Sequence, residues 1–362
     1  MMLLVINAGS SSIKLAVFDG NLREVARAQV AEIDQGGHAA AMQDGLRQAG
    51  VNLGDLTAVA HRVVHGGVGL VTPCRVTPQV IAAIEDCLPL APLHNPANLI
   101  GIRAVASLAP NLPQFASFDT AFHATNPDMA TRYAIPAADA ALGLRRYGFH
   151  GLSYAALVQA LPKLAGTLLP KRLLALHLGN GASLCAILDG KSVATTMGYS
   201  PLDGLTMGTR AGAMDGNAVL RLAQVHGIAG AARILNRESG LLALGGATDM
   251  RALHAAGTPE AGFALDHFCY WAVRHCGSMI AAMGGLDAVA FTGGIGENDA
   301  LIRARILDGL AWTGVAFDTA ANLAGAACLH KVVSDVAIWT VPAAEERQIA
   351  SEAMALMGTT SE

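Results

Sequence analysis

The sequence predicts an α/β fold of two duplicated domains, each with a mixed sheet flanked by helices, with a cleft between them. Three observations lead to this fold class. At 362 residues the chain exceeds what one hydrophobic core usually supports. An antiparallel meander opens the chain, and its layout returns 170 positions later. Helical stretches such as 153–164, 216–226 and 263–282 separate the strands.

The opening residues, MMLLVINAGSSSIKLAVFDG, predict two strands joined by a tight turn. In the second strand Ile13, Leu15 and Val17 alternate with Lys14 and its even-numbered neighbours, which is the period of a strand and not of a helix. The Asp-Gly pair that follows is a turn signal, and REVARAQV predicts a third strand. The chain therefore begins with an antiparallel meander.

The second copy of this layout is the stretch LLALHLGNGASLCAILDGKSVATTM. It too reads as a strand, a Gly-rich turn, a strand, an Asp-Gly turn and a third strand. Gly9 and the pair Asp19-Gly20 recur as Gly179 and the pair 189–190. Further along, DAVAFTGGIGEN predicts a buried strand that ends in a Gly-rich turn.

The composition excludes several function classes. Charged residues make up 14% of the chain and the net charge is −4, with no basic block, so we expect no nucleic-acid partner. Mean hydropathy is +0.41, yet no apolar run reaches the length of about 18 residues that a membrane span needs. The start, MMLLVIN, lacks the basic segment and cleavage site of a signal peptide. The six cysteines form no CxxC pair, which predicts buried free thiols and a reducing, cytoplasmic location.

The first turn, within INAGSSSIK, is a candidate phosphate site. A tight hairpin exposes successive backbone N–H groups that can hold phosphate oxygens. Ser10, Ser11 and Ser12 add hydroxyl donors, Lys14 adds a charge, and Asn7 lies where the buried strand ends. An ordinary polar hairpin is the alternative interpretation.

Two motifs offer candidate groups for an anionic substrate. HRVVHGG contains Arg62, and a planar guanidinium suits bidentate binding of carboxylate or phosphate oxygens. A surface arginine is the alternative. LAPLHNPANL contains His94. The pattern fits a buried core histidine at least as well as a functional one.

Further motifs add titratable groups. FDTAFH has Asp119 at a predicted strand end, where it could orient a nucleophile or hold Arg62. RRYGFHG has His150 in a tight apolar turn, and GLTMGTRAG has Arg210 between glycines. VPAAEERQIA carries Glu345 in the first turn of a predicted helix. A carboxylate is favoured there by the helix dipole alone, which is the alternative interpretation.

Together these motifs resemble a known family. INAGSSSIK, HRVVHGG, APLHNPANL, FDTAFH, RRYGFHG, HLGNGAS, PLDGLTMGTR, ESGLL and FTGGIGEN occur in the order seen in the acetokinase family, from residue 2 to about residue 350. The family belongs to the actin and hexokinase superfamily, whose duplicated domains agree with the repeat. The resemblance implies reversible, ATP-dependent phosphorylation of acetate to acetyl phosphate by direct in-line transfer, with Mg²⁺ or Mn²⁺ as cofactor. It also implies a homodimer.

The resemblance implies roles for six residues at the reaction. Asn7 and Glu345 would serve the metal, Arg62 would bind the substrate, and Arg210 would bind the transferring phosphoryl group. His150 would join Arg210 in stabilising the transition state, and Asp119 would be the central carboxylate. Acetate is ionised at neutral pH and needs no strong base, so we interpret Asp119 as a positioning group and not as a proton acceptor.

The resemblance also implies two binding regions. A small pocket for the methyl group would be lined by Val64, Leu93, Phe149 and Pro201, with His94 nearby. The residues implied to hold ATP or ADP are Ser10, Ser12, Lys14, His177, Leu178, Gly179, Asn180, Gly181, Asp249, Met250, Arg251, Gly294, Ile295, Gly296, Glu297 and Asn298.

We expect an N-terminal domain of residues 1–122 plus 347–362 and a C-terminal, nucleotide-binding domain of residues 123–346. Three alternatives for the function stay open. The acid could be propionate or another short-chain carboxylate, since one methylene changes binding by only about 1–3 kcal/mol. The chain could be a nucleotide-binding sensor without turnover, or a sugar kinase of the same superfamily. The sequence departs from the family pattern at Ala213, Ala343 and Ala344.

Overall fold

The structure of the chain is a computed structural model that describes residues 1–9, 12–31, 33 and 37–359. Within these residues the fold is α/β, with two mixed sheets and helices packed against them, which confirms the predicted class. The strands are β1 Met2–Ala8, β2 Ser12–Asp19, β3 Glu24–Ala31, β4 Ala58–Val63, β5 Cys74–Arg75, β6 Gln114–Phe118, β7 Arg172–Leu178, β8 Ala182–Leu188, β9 Lys191–Thr195, β10 Ala288–Thr292 and β11 Ala337–Thr340.

The helices fall between and after these strands. They are α1 His38–Gln48, α2 Pro78–Asp86, α3 Asn95–Leu108, α4 Asp128–Thr131, α5 Ala137–Ala140, α6 Gly151–Ala165, α7 Gly216–Arg237, α8 Gly240–Gly245, α9 Met250–Ala256, α10 Pro259–Met283, α11 Gly293–Asn298, α12 Ala300–Gly309, α13 Thr319–Leu323 and α14 Glu345–Thr359. Short 3₁₀ helices lie at Leu53–Asp55, Ala121–Thr125 and Ala311–Thr313.

The two sheets share one topology apart from β5, an antiparallel edge strand that only the first described sheet has. In the described part of the chain, the strand order of the first sheet is β3-β2-β1-β4-β6-β5, and β1, β2 and β3 pair antiparallel as predicted. β1 then pairs parallel with β4, and β4 with β6. The second sheet has the order β11-β10-β7-β8-β9, with β7, β8 and β9 antiparallel and β10 and β11 parallel. The predicted repetition of the meander is therefore confirmed.

The chain divides into two compact units. The first unit consists of Met1–Ala124, His150–Ala156 and Ala344–Glu362, and the second of Thr125–Phe149 and Leu157–Ala343. The expected domain boundaries, between residues 122 and 123 and between 346 and 347, stay a prediction.

The first sheet is covered on both faces within the first unit. Leu4, Ile6 and Ile13 pack with α1 and α3 on one face. Leu3 and Val5 pack with α14 on the other. Because successive side chains on a strand alternate between faces, Asn7 shares the α14 face with Val5.

The α14 face becomes polar where the strands end. Asn7 of β1 is directly opposite Lys14 of β2, so both lie on this face. Arg62 follows Ala58 and Ala60 on the same face of β4 and lies inside that strand. The alternation of the strands therefore brings these three polar side chains onto one face of the sheet.

The second sheet is buried and packs against α10, the longest described helix. The predicted helix 216–226 is the first part of α7, which continues beyond a kink at Gly227 (φ 71°, ψ 165°). The predicted Gly-rich turn after β10 is instead the short helix α11. Gly293 enters that helix with φ 79°, and a Cβ there would lie 2.8 Å from the Leu178 carbonyl oxygen.

Two further predictions concern membrane-spanning helices and the cysteines. No described helix is both long enough and apolar enough to cross a bilayer. The six cysteines are free thiols, but the expectation that all are buried is wrong: Cys328 is exposed and Cys74 is half-buried. Cys328 lies in the short bridge to Trp339, outside the packed sheet, so its thiol remains at the surface.

Candidate active site

The charged centre of the first unit is an ion pair between Arg62 and Asp119. Arg62 Nε lies 2.9 Å from Oδ1, and Nη2 lies 2.6 Å from Oδ2. Since both carboxylate oxygens accept N–H donors, the geometry fits an ionised Asp119. Of the two roles that the sequence left open for Asp119, the structure shows that it holds Arg62.

Asn7 and Glu345 border the same guanidinium. Arg62 Nη1 donates to Asn7 Oδ1 at 3.2 Å, and Nε lies 4.0 Å from Glu345 Oε2. The pKa of Arg62 is raised above its ordinary value: burial alone would lower it, but the carboxylates of Asp119 and Glu345 outweigh burial. Burial raises the pKa of Asp119, and the Arg62 charge opposes that shift. The guanidinium is therefore held charged and in a fixed orientation.

The donor set around Arg62 suits a hard divalent cation. Two carboxylates and one guanidinium leave a negative charge, and Asn7 adds an amide oxygen, the kinds of ligand that Mg²⁺ prefers. No cluster of three or more His, Cys, Asp or Glu side chains that could hold a metal occurs in the described residues. Glu345 and Asn7 could each supply one oxygen to such an ion, with the other ligands coming from a bound phosphate and water, as is usual for Mg²⁺.

Two buried asparagines of α3 fix the segment after β4, and sequence reasoning missed both. Asn98 accepts the Val64 N–H at 3.1 Å and donates to the Ala8 carbonyl at 2.7 Å. Asn95 accepts the His65 N–H at 3.1 Å and donates to the His65 carbonyl at 3.0 Å. The asparagines of the NPAN sequence were the available signal. They tie the ends of β1 and β4 to one helix.

The turn at His150 is anchored to Asp119 within the first unit. The Gly151 N–H donates to the Asp119 carbonyl at 2.8 Å, and a Cβ on Gly151 would lie 2.2 Å from that oxygen. His150 has φ 59°, a left-handed conformation that is uncommon for residues with a side chain. Such a conformation held by its surroundings is typical of functional sites.

The residues expected to line the methyl pocket have different surroundings. Val64 is buried in the first unit, whereas Leu93 is 41% exposed and His94 is the N-cap residue of α3. Phe149 is fully buried in the second unit, and Pro201 is half-buried there.

Arg210 lies in a tightly held loop of the second unit. Its Nη1 donates to the Pro201 carbonyl at 3.2 Å, and burial lowers the pKa of the guanidinium. No carboxylate of the described residues is within ion-pair distance of it, in contrast to Arg62. A Cβ on Gly240 would lie 2.7 Å from the Arg210 carbonyl, so the loop passes where only glycine fits.

An ion pair between Arg146 and Asp203 supports the Pro201 loop and was not predicted. Arg146 Nη1 lies 2.9 Å from Asp203 Oδ2 and also donates to the Thr196 carbonyl at 3.0 Å. The other Asp203 oxygen accepts the Gly204 N–H at 2.8 Å. These bonds join the RRYGFHG motif to the PLDGL motif, which begins at Pro201.

The second unit contains a cavity of about 1030 Å³, a size that suits a nucleotide. Eight of the sixteen positions expected to hold ATP line it. They are Gly179, Asn180, Asp249, Met250, Arg251, Gly294, Ile295 and Asn298. The sequence missed the other lining residues, which are Thr248, His254, Ala255, Asp299, Ala300 and Leu301.

The other described ATP positions do not line this cavity. Ser12 and Lys14 belong to the first unit, and Ser10 lies outside the described residues. The other positions, near the cavity in sequence, are His177, Leu178, Gly181, Gly296 and Glu297. Glu297 instead braces the backbone, since its Oε1 accepts the Gly293 N–H at 3.1 Å and the Ala343 N–H at 2.9 Å.

Asp249 and Arg303 shape the cavity wall. Asp249 is the N-cap of α9 and also accepts the Arg251 guanidinium at 2.6 Å, which lowers its pKa to about 2. Arg303, a fully buried residue that the sequence did not mark, donates to the carbonyls of Gly296 and Glu297 at 3.0 and 2.8 Å. It satisfies the C-terminal carbonyls of α11 and so fixes the segment that carries Gly294 and Ile295.

Comparison with known proteins gives consistent similarities over the full length. A family model described as the acetokinase family matches residues 20–351. Proteins named acetate kinase from Rhodopseudomonas palustris and Methylocella silvestris are 43% and 40% identical to the chain, over 96% and 98% of it and 96% and 97% of their own lengths.

Solved structures give the same result. The crystal structure of Porphyromonas gingivalis acetate kinase matches with a TM-score of 0.91 at 34% identity, covering 98% of this chain and 99% of that one. A propionate kinase from Francisella tularensis also has a TM-score of 0.91 at 34% identity, covering 97% and 98%.

Proposed function

Since the chain belongs to the acetokinase family, we propose that it transfers the γ-phosphoryl group of ATP to acetate, forming acetyl phosphate and ADP in a reversible, direct in-line reaction. Acetate is ionised at neutral pH, so no general base is needed. The obstacle is repulsion between a carboxylate and a polyanion. Catalysis then consists mainly of positioning and of neutralising the charge of the transferring group.

The observation that carries this proposal is the setting of Arg210. A mostly buried guanidinium that has no carboxylate within ion-pair distance among the described residues is suited to an anionic ligand. Its donor Nη1 is aimed by the Pro201 carbonyl. We assign Arg210 to the transferring phosphoryl group, with His150 as a second donor in the transition state.

Arg62, in the first unit, is the residue proposed to bind the carboxylate of the substrate acid. Its three nitrogens are oriented by Asp119 and Asn7, and donor hydrogens remain for a substrate oxygen, because a guanidinium carries five N–H groups. Asp119 acts through Arg62 as a positioning residue. Val64, Leu93, Phe149 and Pro201 are the proposed lining of the methyl pocket, with His94 nearby.

The cavity of the second unit is the proposed nucleotide site. The Asn180 N–H is the proposed phosphate ligand there, since the Gly179 N–H donates to the Gly181 carbonyl at 3.1 Å. In the first unit, the Ser12 and Lys14 side chains are proposed phosphate ligands. Asn7 and Glu345 are the proposed ligands of Mg²⁺ or Mn²⁺, which when bound supplies positive charge next to the phosphate oxygens. The oxygen donors around Arg62 support this assignment.

A propionate kinase activity is the second candidate. The propionate kinase of Francisella tularensis matches this chain as well as an acetate kinase does by TM-score and identity. The curated relatives at 40–43% identity bear the name acetate kinase, which favours acetate as the principal acid.

One assay tests the proposal. The purified protein is incubated with Mg-ATP and acetate, propionate or butyrate, and the acyl phosphate is trapped as hydroxamate. We expect acetate to give the highest rate and Arg210→Ala to reduce it about 100-fold or more, the usual effect of losing one transition-state donor. Arg221→Ala, at an exposed position of α7, is the control. No hydroxamate from any acid above the Arg210→Ala background would refute the kinase.

We also propose a cytoplasmic homodimer. Free cysteines support a reducing compartment. Phe263 and Tyr270 lie exposed on α10 and are supporting features of a subunit contact. Light scattering of the eluted protein should give twice the chain mass of 37.1 kDa.

A further inference from the structure

The lining of the nucleotide cavity has two parts of different chemistry. One part is the turn after β7, where the Gly179 N–H donates to the Gly181 carbonyl at 3.1 Å and the Asn180 N–H is the donor for a ligand. The other part is where α9 and α12 begin, and their N-termini are occupied by the side chains of Asp249 and Asp299. Because these carboxylates repel phosphate, the phosphates belong at the turn and the base at the α9 and α12 end.

The base end combines apolar walls with two polar pairs, Asp249 with Arg251 and His254 with Asp299. Met250, Ile295 and Leu301 are the large apolar residues of the cavity lining. In the second pair, His254 Nε2 lies 2.9 Å from Asp299 Oδ2. A planar aromatic base fits this combination of apolar contacts and one directed hydrogen-bonding group.

Asp299 determines which nitrogen of His254 carries the hydrogen. Its Oδ1 accepts the Ile302 N–H at 3.0 Å as the N-cap of α12, and its own N–H donates to the Ile295 carbonyl at 2.9 Å. Held in this way, the carboxylate can only accept, so Nε2 donates to it. In the neutral ring Nδ1 is then an acceptor, and among the described residues it has no protein hydrogen-bond partner.

We propose that His254, oriented by Asp299, is the residue that selects adenine nucleotides in this cavity. Its Nδ1 accepts a hydrogen from the 6-amino group of adenine. Guanine and hypoxanthine carry a carbonyl oxygen at that position, which faces the same lone pair and is rejected. The inference rests on the proposed function only in that a nucleoside phosphate occupies the cavity.

The test measures binding of ADP, GDP and IDP by titration calorimetry at pH 8, without any acid and without turnover. We expect the wild-type chain to bind ADP about tenfold more tightly than IDP, the scale of one directed hydrogen bond. His254→Ala should bring the ADP to IDP ratio close to one. His226→Ala, an exposed histidine of α7, is the matched control and should leave the ratio unchanged.

A second variant moves the ring hydrogen of His254 from Nε2 to Nδ1. In Asp299→Asn the amide oxygen still accepts the Ile302 N–H, so the helix cap remains, while the amide nitrogen now donates to Nε2. The ring hydrogen moves to Nδ1, which becomes a donor. We expect IDP and GDP to bind more tightly than ADP to this variant, with an unchanged circular-dichroism spectrum.

Any of three results would overturn the proposal. One is an equal loss of affinity for all three diphosphates in His254→Ala, which would make the histidine structural. The others are an unchanged ADP preference in both variants and no diphosphate binding to the wild-type chain. Because hydroxamate formation is measured separately, diphosphate selectivity without acyl phosphate would reject the kinase and leave this inference standing.

Discussion

The Arg62 guanidinium meets the Asp119 carboxylate through two hydrogen bonds, and its third nitrogen contacts Asn7. This arrangement fixes a cation on the α14 face of the first sheet, where the apolar packing of that face ends. Asp119 is almost completely buried, so removing its charge leaves Arg62 without its principal partner. The two residues therefore behave as one group.

Asp119→Asn should reduce acyl phosphate formation about 100-fold or more, because Arg62 loses the carboxylate that orients it. Breaking a buried ion pair also costs about 3 kcal/mol or more of unfolding free energy. Hydroxamate kinetics and thermal unfolding measure the two effects. Asp44→Asn, in an exposed pair with Arg47, is the control and should change neither. Full activity of Asp119→Asn would contradict the positioning role.

Arg146→Ala should raise the KM for the acid, because the ion pair with Asp203 holds the loop that carries Pro201 and aims Arg210. We expect a rise of about tenfold, with ADP affinity unchanged, since Arg146 does not line the cavity. Arg146→Lys should recover part of the loss. The matched control is Arg132→Ala, whose pair with Asp128 is exposed. An unaltered KM in Arg146→Ala would show that the loop needs no such support.

Low pH should destabilise the first unit because two of its buried histidines resist protonation. Burial lowers the pKa of both His61 and His65 to about 4 from the ordinary 6.5. Below pH 6.5 the unfolded chain binds protons that the folded chain does not, so stability falls between pH 6.5 and 4, by up to about 3 kcal/mol for each histidine.

His61→Gln tests this dependence. Urea unfolding followed by circular dichroism should show a smaller difference between pH 7 and pH 5 in the variant than in the wild-type chain. His226→Gln changes an exposed histidine and should keep the wild-type difference. If His61→Gln keeps it as well, His61 is protonated in the folded state and the burial argument fails.

Gly151→Ala should abolish activity and lower stability, because its Cβ would lie 2.2 Å from the Asp119 carbonyl oxygen. The backbone of Asp119 would have to move, and the Arg62 pair with it. Hydroxamate assays and thermal unfolding measure the effect. Gly54→Ala, in the same unit, meets no atom within 4 Å and should behave as the wild-type chain does. Equal behaviour of the two variants would disprove the close approach.

Local patterns were sufficient for the sheets and insufficient for the side-chain pairs. Alternation in the stretch from Ile13 to Val17 predicted β2 and its neighbours, and the repeated turn signals predicted the second sheet. The pair of His254 with Asp299 joins residues far apart in the chain, and no local pattern marks it. α11 was predicted as a turn because glycine disfavours helix, but side-chain hydrogen bonds from Arg303 and to Glu297 outweigh this preference.

The return of α14 to the first unit has a consequence for synthesis on the ribosome. Ile349 and Ala350 complete the apolar layer that covers Leu3 and Val5, yet they leave the ribosome more than 300 residues later. The first unit is thus the first to be started and the last to be finished. While the second unit is being synthesised, the face of the first sheet that α14 covers stays exposed. This apolar face is the surface that a chaperone would have to protect.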